Sequence, residues 1–239
     1  MRDKILGIAA RQLSVAPEKL EIGDGKVFAK ENKDQSIAVM EIVRTAYGAI
    51  HLLPENMEPG LEVTGYFINP NIDYTPDDKG RMNTFSSYPY AAVIAVVDVD
   101  VETGMIKIVR YCTVHDCGNM INPQIVDTQQ QGSIMQGIGA ALYEELRYSE
   151  DGQLLSSTFM DYRLPSAEEV PELALEHIVT PNPFTPLGAK GAGETGMLGP
   201  PPALCSAVED ALSPFGVKIH ETPLTPDRVL DLIEKAQAK

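Results

Sequence analysis

Residues 91–114, AAVIAVVDVDVETGMIKIVRYCTV, decide the framework of the chain. Two runs rich in Val and Ile, AAVIAVVDVD and MIKIVRYCTV, flank Glu102-Thr-Gly104. Branched side chains of this kind fit a pleated, half-buried surface, and a polar break ending in Gly lets the chain reverse. The stretch therefore predicts a β-hairpin.

On its N-terminal side the pattern predicts a helix over Asp3–Leu13 and a second hairpin in LEIGDGKVFA, with Gly23-Asp-Gly25 as the turn. A second helix is predicted from about Ser36 to Tyr47. The passage from Pro54 to Arg81, rich in Pro, Asn and Gly, reads as irregular loop containing one strand, Glu62–Phe67. On the C-terminal side Asn122 is placed to cap a helix whose first residue is Pro123, and the helix is expected to run to about Leu146.

One face of that long helix, with Ile134, Met135, Ile138, Ala141 and Leu142, is ordinary core. The other carries Gln129, Gly132, Gln136 and Gly139, two amides beside two places where the backbone is bare. An interior glycine costs about 1 kcal/mol relative to alanine, so something is expected to approach closely. A tight helix crossing and a polar ligand held by the amides both satisfy that pattern. A strand-like run (Leu173–Thr180) and helices over Pro202–Leu212 and Pro226–Ala236 complete the chain. The fold class is α+β, or mixed α/β, with sheet hairpins packed against helices. No linker or repeat divides residues 1–239, and two subdomains would have no boundary marked in the sequence.

The chain has 239 residues, 44 % of them hydrophobic, enough for a sizeable core. Its formal charge is -15, from 34 acidic and 19 basic residues scattered along the sequence. That balance argues against nucleic acid or an anionic membrane as partner. No apolar run approaches the roughly 20 residues of a transmembrane helix. The N-terminal MRDKILGIAARQLSVAPEKL mixes charge into its apolar positions, unlike a signal peptide, so a cytoplasmic location is expected. Cys112, Cys117 and Cys205 form no even disulfide framework, and with the histidines they show no zinc or iron-sulfur spacing.

Gly191-Ala-Gly-Glu-Thr-Gly196 has the G-x-G-x-x-G spacing of a dinucleotide fingerprint. In a Rossmann unit the glycines join a strand directly to a helix. Here Pro181, Pro183, Pro186 and Gly188 separate them from the preceding strand, and Gly199 with Pro200 to Pro202 is expected to hold the next helix away. What remains is a loop of little side-chain bulk with one cation, Lys190, and one carboxylate, Glu194.

Four segments in order, HDCGNMINP (115–123), QQQGSIMQGIG (129–139), TFMDYRLPSAEEVPE (158–172) and GAKGAGETG (188–196), resemble the molybdenum hydroxylases, the xanthine dehydrogenase and aldehyde oxidoreductase family. The resemblance covers nearly the whole chain, including IAARQLSVAPEKLEIGDGKV (8–27), and corresponds to the C-terminal part of the molybdopterin-binding subunit. It implies a molybdenum held by the dithiolene of a molybdopterin, commonly the cytosine dinucleotide form, with no protein ligand to the metal. It further implies oxidative hydroxylation of an electron-poor carbon, in a heterocycle or aldehyde, with water as oxygen source.

By the same resemblance Glu194 is the catalytic base, and Gln129, Gln136, Lys190, Gly191, Ala192 and Gly193 contact the cofactor. Asn122 and Pro123 serve the helix start, while Asp161 and Tyr162 are equally suited to structure and to the site wall. Electrons are expected to leave through iron-sulfur clusters to FAD on partner chains, and a further molybdopterin-binding chain is expected to complete the pocket. Gln131, where the family commonly has glutamate, and Ser206, where it often has asparagine, depart from the pattern. Two other readings are a non-catalytic structural or assembly subunit of such a complex, and a stand-alone nucleotide- or anion-binding module. The intact GAKGAGE segment disfavours the former.

Overall fold

The computed structural model describes residues 1–238, which divide into two compact units, residues 1–68 and residues 69–238.

In the first unit, helix α1 (Arg2–Leu13) is followed by strands β1 (Leu20–Gly23), β2 (Lys26–Ala29) and β3 (Asn32–Ala38) and by helix α2 (Val39–Gly48). The three strands form an antiparallel sheet in sequence order. Asp24 and Gly25, with φ of 49° and 72°, make the two-residue turn between β1 and β2, a backbone hand that Asp-Gly tolerates and that matches strand twist. Leu6, Ile8, Ala9, Leu20, Val27, Ile42 and Ala46 form the core.

Two sequence expectations fail in this unit. The helix begins at Val39 and not near Ser36, because Ser36 and Ile37 pair with Phe28 and Val27 as the end of β3. Pairing and the packing of Ile37 on the core override local helix preference. Residues 62–67 form no strand; Val63, Tyr66 and Phe67 are exposed and no ladder receives them.

The second unit is built on the predicted hairpin, β4 (Tyr90–Val99) and β5 (Ile106–Asp116), paired antiparallel with Ile94 opposite Cys112. At the turn, Asp100 accepts bonds from the amides of Glu102 (2.9 Å) and Thr103 (3.3 Å), and Gly104 takes φ of 73°. Strand β6 (Leu173–His177) joins β5 in parallel, giving the order β4-β5-β6.

Between β5 and β6 lies helix α3 (Pro123–Leu142); α4 (Thr195–Leu198), α5 (Pro200–Ala211) and α6 (Pro226–Gln237) follow. Asn122 caps α3 by accepting the Ile125 amide at 3.2 Å, with Pro123 first in the helix as predicted. The helix stops at Leu142, short of Leu146. Glu144 folds back over Gly139, its amide donating to the Gly139 carbonyl at 2.8 Å and its carboxylate accepting the Tyr162 hydroxyl at 2.6 Å.

One sheet face, through Val93, Ala95, Val97, Ile106, Ile108, Leu173 and Leu175, packs on Ile134, Ile138, Ala141 and Leu142 of α3, Leu204 and Val208 of α5, and Val229 and Ile233 of α6. Each fully buried Leu, Ile or Val among them contributes roughly 1.5–3 kcal/mol. This core fixes α3 beneath the segment that enters α4.

Candidate active site

The site grows from the end of β5. Asp116 accepts the amides of Gly118 at 2.8 Å and Thr180 at 3.2 Å, and its second oxygen lies 3.2 Å from the Lys190 ammonium. The Lys190 side chain is only 7 % exposed, and its ammonium also lies 5.1 Å from the Tyr90 ring centroid. Burial works to raise the Asp116 carboxyl, but the Gly118 and Thr180 donors and Lys190 outweigh it and hold it at about 2.

Backbone contacts zip residues 188–190 to 117–119. The Lys190 amide donates to the Cys117 carbonyl at 2.7 Å, and the Asn119 amide to the Gly188 carbonyl at 3.0 Å. Gly188 needs its glycine twice over: φ is 67°, and the Asn119 side chain lies 2.6 Å from where a Cβ would be.

From this anchor the chain crosses the first half of α3. Gln130 donates to the Ala192 carbonyl at 3.3 Å, and Gln129 donates to the Gly193 carbonyl at 3.1 Å. Gly191 and Gly193 have no neighbour within 4 Å of a Cβ position, so their backbone borders open space. Glu194 is exposed, and its side chain makes no cap hydrogen bond where α4 begins.

Directly after Glu194 the chain turns into α4. The expectation that Gly199 and the prolines keep helix away is therefore corrected. Pro200 opens α5, since a proline at the first helical position loses no intrahelical bond. Helix α4 crosses α3 closely: the Met197 carbonyl lies 2.5 Å and Pro200 2.7 Å from a Cβ placed on Gly137. The tight crossing expected of α3 exists, but at Gly137; nothing approaches Gly132, and Gly139 faces Glu144 and Pro165.

Beneath the loop is a buried polar cluster. His115, 1 % exposed, has Nε2 at 3.3 Å from Gln130 Nε2; the amide donates there when the ring carries its proton on Nδ1. Desolvation, then the neighbouring His177 and Lys190, pull the His115 pKa down against the opposing pull of Asp116. The His115 and His177 rings meet edge to face, 5.9 Å between centroids, and His177 Nε2 lies 2.7 Å from Asp127. His115 Nδ1, His177 Nδ1 and Gln130 Oε1 are buried with no hydrogen-bond partner.

The structure thus brings Gln129 and Lys190 to Glu194 together. Gln136 is exposed further along α3, with no hydrogen bond to the loop. Asp161 accepts the Thr158 hydroxyl at 2.8 Å and Tyr162 donates to Glu144, so both order their own segment. Gln130, His115 and Asp116 were not singled out by sequence reasoning, although HDC and QQQ stand within the resembling segments. A buried amide and an exposed one look alike in a run of three glutamines. Among the described residues no group of three or more His, Cys, Asp or Glu could hold a metal ion, and no helix is long and apolar enough to cross a membrane.

Comparison with known proteins places this architecture. The molybdopterin cofactor-binding domain family matches residues 1–171. The chain belongs to that family, as part of the large subunit of the molybdenum hydroxylases. The large subunit of nicotine 6-hydroxylase from Paenarthrobacter nicotinovorans is 34 % identical over 96 % of this chain and 26 % of its own length. The carbon monoxide dehydrogenase large chain of Hydrogenophaga pseudoflava is 35 % identical over 93 % of this chain and 26 % of its own.

Among solved structures, the Cu,Mo-CO dehydrogenase aligns with a TM-score of 0.75 at 33 % identity, covering 98 % of this chain and 27 % of that one. Quinoline 2-oxidoreductase from Pseudomonas putida 86 gives the same TM-score and identity over 98 % and 28 %. The chain therefore spans about a quarter of the length of these relatives.

Proposed function

We propose that this chain seats the molybdopterin and supplies the base in the active site of a molybdenum hydroxylase, which oxidatively hydroxylates an electron-poor carbon of a heterocycle or aldehyde with oxygen from water. One observation carries this reading. Gln129 and Gln130 hold the loop down at the Gly193 and Ala192 carbonyls, while Gly191 and Gly193 border open space and Glu194 stands exposed at the loop's end. The residues fit the cofactor: bare glycine backbone admits a flat heterocycle at close range, and the buried, unpartnered Gln130 carbonyl marks a polar junction at that point.

When bound, the molybdenum cofactor supplies the two-electron oxidation. The chain's own residues do the rest. Glu194 takes up the proton released from the oxygen nucleophile, its backbone held between the anchored loop and α4. Lys190 contributes backbone to the loop and, through Asp116, ties it to β5. Gln129, whose amide nitrogen donates to the Gly193 carbonyl, offers its amide oxygen at the loop edge, and Gln136, on the same helix, is assigned to the same cofactor in its cytosine dinucleotide form.

The partners in this reading are the remainder of the molybdopterin-binding subunit, an iron-sulfur chain and an FAD chain. Partial coverage of the large-subunit relatives supports it. The test is Glu194→Gln in the assembled enzyme. Turnover is expected to fall roughly 10²–10⁴-fold, the usual contribution of a general base, with molybdenum content unchanged. Normal turnover in that variant would contradict the assignment.

A further inference from the structure

Strand β4 is an edge strand. It pairs with β5 alone, and among the described residues no backbone hydrogen bond joins residues 91–97 to any other segment. Beside that free edge runs a groove of about 740 Å³, with Ala91, Val93 and Ala95 on the strand bank and Ala203 and Ser206 on the α5 bank. Five strand residues at about 3.3 Å each offer a length matching an ordinary strand. The helical bank mixes the small Gly199, Ala203, Ser206 and Ala207 with the larger Leu198 and Pro202. Ile94 (68 % exposed), with Tyr90 and Val96 exposed on the same strand, extends the apolar surface of this edge.

Such an edge is a template for pairing, and isolated proteins normally blunt it with charge, proline or a bulge. Residues 90–97 contain no charge and no proline; Pro89 lines the groove just before the strand begins, and the one register shift in β4 comes at Val96–Val97, past Ala95. Beside it, β5 and β6 pair in parallel, an arrangement that folded proteins keep covered.

We infer that a β-strand from the remaining three-quarters of the large subunit adds to the free edge of β4 in this groove. This rests on the proposed function insofar as the chain works beside that remainder. The length argument identifies the occupant: 98 % of this chain matches large chains of which it covers only 27–28 %. A second copy of this chain is disfavoured, because each brings a formal charge of -15 to the contact. The consequence is functional. Thr195, next to Glu194, lines the same groove, so a strand bound there borders the side of the site that α4 forms.

The test uses the assembled complex. Hydrogen exchange read residue by residue is expected to show the amides of residues 91–95 all slowed, at least about a hundredfold relative to exposed loop amides, on both sides of the strand. Ser206→Trp, an exposed position on the groove wall, is expected to weaken retention of the large-subunit remainder at least tenfold while the isolated circular dichroism spectrum stays unchanged. A photo-cross-linking residue at Ser206 is expected to capture a single extended segment of that remainder. Fast exchange at alternate amides of residues 91–95, full retention by the Trp variant, or capture of a second copy, an iron-sulfur chain or a flavin chain each overturns the inference. None of these readouts depends on turnover, so loss of the Glu194 assignment would leave the result standing and the reverse.

Discussion

Lys190 and Asp116, 74 positions apart in sequence, form a 3.2 Å ion pair that is almost wholly out of solvent. It joins the end of β5 to the loop that carries Glu194, so the carboxylate's position is set by a charge pair it does not touch. Removing Lys190 leaves a buried carboxylate with only the Gly118 and Thr180 amides to hold its charge. Lys190→Met is accordingly expected to lower the unfolding free energy by about 3 kcal/mol, read by urea denaturation. The double variant Lys190→Met, Asp116→Leu should be less destabilised than that single variant; a cost equal to the sum of the two single changes would show that the pair does not act as a unit.

The cluster beneath the loop makes stability depend on pH. Folding lowers the His115 pKa below its usual 6.5, so the unfolded chain binds the extra proton first. Stability is full above pH 6.5 and declines as pH falls below it, towards the depressed folded value. Asp116 adds a second loss at lower pH, between its ordinary 3.8 and about 2, because its folded carboxyl is also depressed. His115→Gln should flatten the first decline and keep the second, as measured by denaturation midpoints across pH. The groups facing His115 are His177, Asp116, Lys190 and Gln130.

The glycines of α3 are not equivalent. Gly137→Ala places a methyl against the Met197 carbonyl and Pro200 and is expected to cost about 1–3 kcal/mol by overpacking. Because α4 continues directly from Glu194, the same change should reduce turnover as well. Gly132→Ala meets nothing within 4 Å and should stabilise the protein by up to about 1 kcal/mol, the helix propensity difference. Equal effects of the two substitutions would show that the crossing of α3 and α4 is looser than described.

How much of this was legible in sequence follows from the range of the forces involved. The β4–β5 hairpin, the Asp24-Gly25 turn and the Asn122 cap rest on neighbours a few residues apart, and each appears where local chemistry puts it. Strand β3, NKDQSIA, carries little apolar alternation and exists because β2 offers it an edge, so local reading took its end for helix. Residues 62–67, EVTGYF, carry β-branched and aromatic side chains that favour a strand but find no ladder. At the candidate site the residues alone showed a loop of little bulk with one cation and one carboxylate, and the role proposed for Glu194 came from the resemblance of four ordered segments. The partners of Lys190 and Gln130 were not readable, since contacts between residues 116 and 190 or 130 and 192 leave no periodic trace.

The central claim is that the α3–loop junction holds a molybdenum cofactor. Its most direct test is the quantification of molybdenum and released cytidine nucleotide on this chain, isolated gently from its host, with the accompanying chains identified by mass spectrometry. The account predicts both in stoichiometric amount, together with a larger molybdopterin-binding chain and an iron-sulfur chain, and their loss in a Gln129→Ala, Gln130→Ala variant that still folds. A folded chain free of metal and nucleotide in that same assembled complex would contradict it.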